Sequence, residues 1–361
     1  MKAMKILLMT LLLIALYSER VSAITAKACQ QLFVISVNTN EGIKFGYIDS
    51  NGRLIVEPKY LMASYFSDGV GIVEVERKKV GNRDDGRPIW GGTDGIVDIY
   101  GNIIEIPNSN IFSDFSEGLA LARINGRLVY IDKSGNVKIS IPDEIKVSRN
   151  EEYSTPEEFP FTDGVAGLRA DDGGLYLIDK SGNITHTKKP HYYYDENGLA
   201  IIEIEGKYAI INKNGGYIVG PQDNEIVGDD GIYFMIPKDK NEKYKFLNSK
   251  GKIIFEIFLN DVGFFSEGLI RVQIGDKWGY IDKVGKIIIP AKFDVAEDFS
   301  EGAAAVKLKN KWGFIDRRGR LIIPSQIDNV NESFNCGLAR VEVDEVNGYI
   351  DKRGNWVWKE K

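Results

Sequence analysis

The sequence predicts an all-β protein built as a tandem array of about nine repeats, each a three-stranded meander of roughly 34 residues. Three observations predict this fold. A turn motif returns along the chain at nearly constant spacing, short aliphatic runs flank its copies, and glycine is abundant, with 38 of 361 residues against a usual share of ~7%. One such unit cannot bury its own faces, so we expect the units to stack on their neighbours.

The turn motif, an Asp or Asn with Gly three residues later, is the most regular feature of the chain. Its spacing is 33–36 residues, except for two intervals of 49 and 47 residues that indicate insertions. The side-chain oxygen accepts a hydrogen bond from the backbone two residues on, and Gly supplies the positive φ that closes a tight hairpin. We interpret the motif as a structural turn and number repeats 1 to 9 by its copies: Asp49 and Gly52, Asp98 and Gly101, Asp132 and Gly135, Asp179 and Gly182, Asn212 and Gly215, Asn248 and Gly251, Asp282 and Gly285, Asp316 and Gly319, Asp351 and Gly354.

A calcium-binding loop is the alternative for this motif, because Asp132-Lys133-Ser134-Gly135 has a superficial likeness to one. Calcium loops need alternating acidic ligands and a terminal Glu, and these turns have neither. Asn also replaces Asp in repeats 5 and 6 without loss of the pattern. The sequence therefore favours turn chemistry over metal binding.

Three strands are predicted in each repeat. The aliphatic residue before every turn ends a middle strand, and a run such as Ile287-Ile288-Ile289 follows the turn and is commonly closed by Pro. Because Pro cannot donate to a sheet ladder, this last strand ends there or lies at an edge. Before the middle strand, Ile270, Val272 and Ile274 alternate with polar residues, as in a half-buried strand. A Phe-Ser-Glu-Gly motif or a variant precedes that first strand.

The middle strand carries Trp278-Gly279 in repeat 7 and Trp312-Gly313 in repeat 8, with near matches at Phe45-Gly46 and Asn347-Gly348. This pattern resembles the WG (or KWG) repeat family of bacterial proteins. The resemblance covers nearly the whole chain and implies a β-repeat without an established catalytic activity, cofactor or ligand. Trp278 and Trp312 recur at one position of the unit, which favours packing between repeats over a ligand groove. Repeats 3 to 6 depart from the pattern, with other residues at the glycine position: Val129, Tyr176, Ala209 and Lys245.

Two architectures fit the repeats. An open, solenoid-like or superhelical stack is preferred, because nine units exceed the 4 to 8 blades usual in β-propellers, and a propeller-like closed ring is the alternative. Cys29 and Cys336 fall near equivalent positions of the first and last repeats. Sheets packed face to face lie ~10 Å apart, so we predict no disulfide between them and a buried, free Cys336.

The first residues predict export. Residues 1–23 combine Lys2 and Lys5, an apolar run over 6–17 and the small-residue end Val21-Ser22-Ala23, as in a cleaved signal peptide. Residues 24–361 then form a single repeat array without a membrane span, in the periplasm, at the cell surface or secreted. The net charge of −6 is spread along the chain, which excludes the basic stripe of a nucleic-acid-binding protein.

No catalytic, cofactor-binding or metal-ligating residue is assigned, because the known catalytic motifs are absent and the chain has only two histidines. The insertions, near residues 76–93 and 140–160, are expected to be surface loops on a binding face. One insertion and the tyrosine run between repeats 4 and 5 supply the ligand-binding hypothesis: Trp90, His191, Tyr192, Tyr193 and Tyr194.

Two functions remain open on this evidence. The first is a non-enzymatic exported scaffold that binds a protein or glycan partner along an extended face. The alternative is a carbohydrate-active enzyme with an unrecognised pair of carboxylates. A convergent pair of acids in one cleft, one of them with a raised pKa, would favour the enzyme. The sequence does not determine the oligomeric state.

Overall fold

The structure is a computed structural model that describes residues 31–82, 88–148, 156, 158–162, 164–187, 197–204, 206–212, 214–229, 231–239 and 241–360, with the backbone alone for 80–82, 88–90, 159 and 229. This part of the chain is made of β-strands and turns, without a helix. The predicted all-β repeat fold is confirmed. The predicted signal segment 1–23 and Cys29 lie outside the described residues.

Two compact units make up the chain, Met1–His186 and Thr187–Lys361, here called the N-terminal half and the C-terminal half. The strands that begin in the N-terminal half are β1 (Phe33–Thr39), β2 (Gly42–Ile48), β3 (Leu54–Tyr60), β4 (Met62–Ala63), β5 (Val70–Asn82), β6 (Pro88–Asp98), β7 (Ile103–Ile111), β8 (Leu119–Ile124), β9 (Arg127–Asp132), β10 (Val137–Ser140), β11 (Glu158–Thr162), β12 (Val165–Arg169), β13 (Leu175–Asp179) and β14 (Ile184–Thr187). They form sheets in the orders β1-β2-β3, β10-β9-β8-β7-β6-β5-β4 and β11-β12-β13-β14.

The C-terminal half is more regular. Its strands are β15 (Leu199–Ile204), β16 (Lys207–Asn212), β17 (Tyr217–Gln222), β18 (Ile226–Asp229), β19 (Ile232–Met235), β20 (Tyr244–Asn248), β21 (Ile253–Ile257), β22 (Asp261–Ser266), β23 (Leu269–Ile274), β24 (Lys277–Asp282), β25 (Ile287–Phe293), β26 (Val295–Ala296), β27 (Ala303–Leu308), β28 (Lys311–Asp316), β29 (Leu321–Ile327), β30 (Asn329–Asn335), β31 (Leu338–Val343), β32 (Val346–Asp351) and β33 (Trp356–Lys359). One three-stranded sheet, β15-β16-β17, is followed by four-stranded sheets that each run in chain order.

The four-stranded sheets extend the predicted meander by one strand on its first side, and in repeat 8 this strand has only two residues. That strand is β26, whose residues Val295 and Ala296 pair with Lys307 and Val306. It follows the aliphatic strand of the preceding repeat with a single residue between them, so a strand of two residues escapes any test of sequence periodicity.

The core lies between consecutive sheets. Between repeats 7 and 8, for example, Tyr280 and Ile289 of one sheet pack against Phe299, Val306 and Ile315 of the next, and all are at most 3% exposed. Similar clusters join repeats 1 and 2, 2 and 3, 3 and 4, 5 and 6, 6 and 7, and 8 and 9. Within each half, the repeats joined by these clusters thus bury their faces against their neighbours, as the stacking argument requires.

The glycine of Trp-Gly lies where the backbone of the next strand approaches most closely. A Cβ at Gly279 would be 2.6 Å from the nitrogen of Ala291 and 2.6 Å from the oxygen of Ile289. The pairing of β24 with β25 shifts register on either side of Tyr280, so a β-bulge brings that backbone across the glycine. Only glycine leaves room for this bulge.

The nine turns share one hydrogen-bond pattern. In repeat 7 the Gly285 amide donates to the Asp282 carbonyl, and the amides of Val284 and Lys286 donate to Asp282 Oδ1 at 3.0 and 2.9 Å. Asn212 and Asn248 accept the same two hydrogen bonds through their amide oxygens in repeats 5 and 6. The turn therefore needs a side-chain oxygen here and no charge.

The Phe-Ser-Glu-Gly motif joins repeats 2, 3, 7 and 8 to the repeat that follows each of them. Ser300 donates to the Phe334 carbonyl of the following repeat at 2.6 Å, and Glu301 accepts from the Gly337 amide at 2.8 Å and pairs with Lys352 at 3.2 Å. The acidic residue has a positive φ, 51° at Glu301, a conformation that is strained for a side chain with a Cβ. Equivalent contacts start from Ser67 and Asp68, Ser116 and Glu117, and Ser266 and Glu267. We call this set of contacts the carboxylate clamp.

Cys336 occupies the clamp position of repeat 9 and is disulfide-bonded. It is half-buried and has the same positive φ, 49°, as the acidic residues at this position. The prediction of a free, buried thiol is therefore wrong. The prediction assumed that the distance between neighbouring sheets is too large for a disulfide to span. The side chain at this turn position points away from its own sheet, as Glu301 does when it reaches Gly337 of the next repeat. Cys29, the other cysteine of the chain, lies outside the described residues.

Candidate functional site

The first insertion is a long β-hairpin. Strands β5 and β6 pair from Val70 opposite Asp98 out to Asn82 opposite Pro88, well beyond the length of the corresponding strands in other repeats. The described residues of this insertion, 76–82 and 88–93, therefore continue the sheet of repeat 2. For the second insertion, residues 140–160, the described part comprises the segments 140–148, 156 and 158–160.

A cleft of about 280 Å³ opens at the base of this hairpin. Its walls come from β4, from β5 and β6, and from the segment that leads from β7 into repeat 3. The residues that line it are Met62, Ala63, Ser64, Ile72, Glu74, Glu76, Arg77, Gly91, Gly92, Asp94, Ser109, Asn110, Ile111, Phe112, Ser113 and Asp114.

The cleft lies at the tryptophan position of repeat 2. Asp94 precedes the turn residue Asp98 by four positions, as Trp278 precedes Asp282 in repeat 7. The pairing agrees, because Glu74 lies opposite Asp94 where Gln273 lies opposite Trp278. Repeat 2 therefore reads Asp-Gly in place of Trp-Gly, and a small acidic side chain stands where repeat 7 has an indole.

Asp94 is buried, with 8% of its surface exposed, and its Oδ2 accepts a hydrogen bond of 2.6 Å from the Ile111 amide. Burial raises the pKa of Asp94 to about 6, and the neighbouring Glu74 carboxylate adds to this rise. Glu74 is itself paired with Arg77 at 2.6 Å. The cleft floor thus holds two carboxylates on directly opposed positions of neighbouring strands, an arrangement that costs stability.

Two further acids lie on the side of repeats 3 and 4. Burial raises the pKa of Asp114, which lines the cleft. Burial also raises the pKa of Glu158 to about 7, and Glu158 hydrogen-bonds to the cleft residue Ser113. Among the described residues, four carboxyl groups have a pKa raised by burial, and three of them lie in or beside this cleft; the fourth is Asp298, which is in the C-terminal half.

A second cleft, of about 400 Å³, lies beside repeat 3. Its charged lining residues are Arg123 and Lys146 against Asp143 and Asp171, so they balance. The cleft of repeat 2 has four acidic residues against one arginine and is the more distinctive site.

Of the residues of the ligand-binding hypothesis, the described part of the chain includes Trp90 alone. The backbone of Trp90 lies in β6 opposite Lys79, at some distance along the strand from the cleft residue Asp94. His191, Tyr192, Tyr193 and Tyr194 lie outside the described residues. Within those residues no group of three or more His, Cys, Asp or Glu side chains could hold a metal ion.

A row of exposed apolar side chains marks the start of the last strand in many repeats. Because the residue two positions after the turn glycine stands at the edge of the sheet, its side chain is 43–54% exposed in six repeats: Leu54, Val137, Tyr217, Ile253, Ile287 and Leu321. Most of these strands also contain a Pro, which blunts an edge against pairing with another chain.

Four segments of the chain, residues 45–78, 246–278, 278–312 and 312–346, match the family model of the WG containing repeat. Together with the stacked sheets, this defines an all-β repeat protein. The predicted resemblance to the WG repeat family is confirmed over these four segments, which together span less than half of the chain. Among curated proteins the chain has no match.

Several solved structures share some backbone similarity. BamB from Moraxella catarrhalis has 9% identity and a TM-score of 0.36, over 76% of this chain and 97% of BamB. The computationally designed Ika8 protein has 11% identity and a TM-score of 0.40, over 78% of this chain and 92% of Ika8. Kluyveromyces lactis Hsv2p has 9% identity and a TM-score of 0.36, over 71% of this chain and 92% of Hsv2p. At these TM-scores the likeness carries no argument about function.

Proposed function

We propose that the protein is an exported, non-catalytic scaffold of WG repeats that binds a protein partner at the cleft of repeat 2. The observation that carries this proposal is the replacement of the packing tryptophan by Asp94 at the floor of the cleft. In a scaffold built by repetition, a departure that opens a cleft and buries charge costs stability, which points to a role in binding.

The inserted hairpin supports the same location. It contributes Glu76 and Arg77 from one strand and Gly91 and Gly92 from the other to the cleft lining, so the one long hairpin of the N-terminal half forms part of the site. Export rests on the signal-peptide pattern of residues 1–23. Among the described residues no helix is long and apolar enough to cross a membrane.

A protein partner fits the cleft better than a glycan does. Neutral sugars are held mainly by aromatic platforms, whereas Phe112 is the single aromatic residue among those that line the cleft. The lining is instead rich in carboxylates, which complement a basic surface.

Cleft-blocking variants test the proposal. Asp94→Trp restores Trp-Gly in repeat 2, and Met62→Trp narrows the rim from an exposed position. We expect both variants to lose capture of partners that wild-type protein retains from cell envelope extracts, with binding to a glycan array measured in parallel. Asn347→Trp makes the matched change in repeat 9 and should bind like wild type. Partner capture unchanged in both cleft variants, or a glycan as the retained ligand, would overturn the proposal.

A glycoside hydrolase is the second candidate, favoured by the opposed carboxylates of Glu74 and Asp94. The raised pKa of Asp94 beside the arginine-paired Glu74 is the kind of split that general acid catalysis uses. We rank it second because the Ile111 amide already gives Asp94 a structural partner. Hydrolysis of aryl glycosides by wild type that is lost in both Glu74→Gln and Asp94→Asn would establish it.

A further inference from the structure

An arginine in repeat 7 fills the place that corresponds to the cleft of repeat 2. Arg271 Nη1 donates to the Ala296 carbonyl at 2.7 Å and lies 3.2 Å from Glu297 Oε2, while its Nε lies 3.0 Å from Asp298 Oδ1. The guanidinium also lies 5.5 Å from the centre of the Trp278 ring, within the range of a cation–π contact. Repeat 7 therefore contains a built-in guanidinium site.

The corresponding positions of repeat 2 keep an acid and lack the arginine. Counted from the glycine of the Phe-Ser-Glu-Gly motif, Ile72 stands at the position of Arg271, and Asp94 replaces Trp278. Asp114, the residue before the motif phenylalanine of repeat 3, stands at the position of Asp298. Ile72, Asp94 and Asp114 all line the cleft.

The neighbouring groups strengthen this correspondence. Ser64 stands where repeat 7 has Gly263, at which a Cβ would overlap the side chain of Arg271. Repeat 7 therefore makes room for its own arginine, and repeat 2 does not need to. Glu74 and Asp94 add two carboxylates that repeat 7 lacks at these positions, where it has Gln273 and Trp278.

Arginine at this strand position is not confined to repeat 7. In repeat 9 Arg340 occupies it, with Glu332 at 3.7 Å and Glu360 at 3.4 Å. In repeats 7 and 9, an arginine at the same strand position is thus paired with carboxylates. Arg77, the one basic residue that lines the cleft of repeat 2, lies further out on the hairpin and is paired with Glu74.

We propose that the cleft of repeat 2 binds a guanidinium group, supplied as an arginine side chain by the protein partner, in the place that Arg271 fills in repeat 7. This inference rests on the proposed function and specifies its ligand. The planar guanidinium presents several donors in a fixed geometry, which suits the separate acceptors of Asp94 and Asp114 better than the point charge of lysine does. A cation also relieves the repulsion between the acids of the cleft floor.

Titration of the full-length protein with argininamide tests the ligand class. Citrullinamide is the probe control, because it keeps the shape and the α-amine and replaces the guanidinium by a neutral urea. We expect saturable binding of argininamide, at least tenfold weaker binding of citrullinamide, and intermediate binding of lysinamide, measured by calorimetry or by chemical-shift changes.

Two variants in the cleft and two matched controls outside it test where the binding occurs. Ile72→Arg supplies in the chain itself the arginine that repeat 7 has, and should abolish argininamide binding; Ile201→Arg makes the same change at the same position of repeat 5 and should leave it unchanged. Asp114→Asn should weaken binding at least fivefold, and Asp143→Asn in the second cleft should not. Melting temperatures of all four variants show that each is folded.

Equal binding of citrullinamide and argininamide, or argininamide binding that survives Ile72→Arg in a folded protein, would overturn the guanidinium proposal. That failure is distinct from failure of the proposed function. If Asp94→Trp and Met62→Trp still lose the protein partner, the site stands and its ligand class is wrong. If the partner is captured equally by these variants, the site itself is wrong.

Discussion

Repeats 2 and 7 are built on one plan and use it differently. In repeat 7 a tryptophan, an arginine and two acids close the space between neighbouring sheets. In repeat 2 an isoleucine and an aspartate stand in place of the arginine and the tryptophan, and the same space is an open cleft.

The acidic residues of the two regions show the contrast most directly. Asp294 in the C-terminal half is half-buried, and a hydrogen bond from Lys277 at 2.7 Å lowers its pKa. Asp94 in repeat 2 is buried, and its pKa is raised. The first kind of carboxylate stabilises the fold by holding a basic side chain, whereas the second destabilises it at neutral pH. A binding site is expected to carry the second kind.

The largest expected effect concerns the glycine of the middle strand. Gly279→Ala should lower the free energy of unfolding by about 3 kcal/mol or more, because its Cβ meets the backbone of β25. Gly95→Ala in repeat 2 should cost only about 1–2 kcal/mol, because its nearest neighbours, at 2.9 Å, are the side-chain methyl groups of Ile103 and Val73. Urea unfolding of the two variants measures the difference. Equal losses in the free energy of unfolding would show that the β-bulge is not the reason for the glycine.

The next effect concerns pH. The pKa of Asp94 is raised to about 6 in the folded protein, so its contribution to stability is fully present below the unfolded value of about 4 and is lost as pH rises through 6. Asp94→Asn should therefore raise stability by about 2 kcal/mol at pH 7.5 and flatten the fall between pH 4 and pH 7. Part of the fall should persist, because Glu158 also has a raised pKa, about 7.

Asp294→Asn is the matched variant with the opposite sign. The pKa of Asp294 is lowered, so its contribution is present at neutral pH and is lost as pH falls through the folded value. This variant should be less stable than wild type at pH 7 and should lose less stability on acidification. Thermal unfolding between pH 3 and pH 8 compares the two, and the same sign for both variants would remove the distinction between the regions.

A smaller effect is expected from the carboxylate clamp, which both regions share. Glu301→Gln should cost about 1 kcal/mol, because the charge-assisted hydrogen bond to the Gly337 amide and the pairing with Lys352 weaken. Asp68→Asn in repeat 2 should cost a similar amount, through Gly118 and Lys133. Both losses should shrink in 1 M salt, and a loss that salt does not change would mean that the clamp acts through the backbone strain of its turn alone.

The smallest effect is expected at the turns themselves. Asp282→Asn should change stability by less than about 0.5 kcal/mol, because an amide oxygen can accept the hydrogen bonds that Asp282 Oδ1 accepts, as it does in repeats 5 and 6. Calcium should leave the melting temperature unchanged. A rise in melting temperature with calcium that disappears in Asp282→Asn would restore the metal-loop alternative.

Much of the repeat could be predicted from the sequence because its determinants are local. These determinants are the Asp or Asn oxygen, the turn glycine and the flanking aliphatic runs. They act within about ten residues of one another, so each repeat can be recognised from a short stretch of sequence. The Trp-Gly pair can also be recognised in the sequence. The sequence does not show that its glycine is required because a β-bulge in the next strand brings the backbone close to it. The sequence also contains the feature that distinguishes repeat 2, which is Asp94-Gly95 at the Trp-Gly position. The insertion displaces that position relative to the preceding Phe-Ser-Glu-Gly motif, so the regular spacing of the repeats does not reveal it.

The contacts that span repeats are decided by the tertiary structure. Gly337 meets Glu301 across 36 residues of chain, and the cleft joins Met62 to Asp114. The sequence around each of these residues does not indicate the contact. A Glu before a Gly is typical of an ordinary turn, and the sequence does not distinguish a buried Asp from an exposed one. Burial and the spacing of sheets determine which carboxylate holds a lysine and which is left in a cleft with a raised pKa. Local chemistry thus specifies the repeat, and the stacking of repeats decides which of its carboxylates are buried.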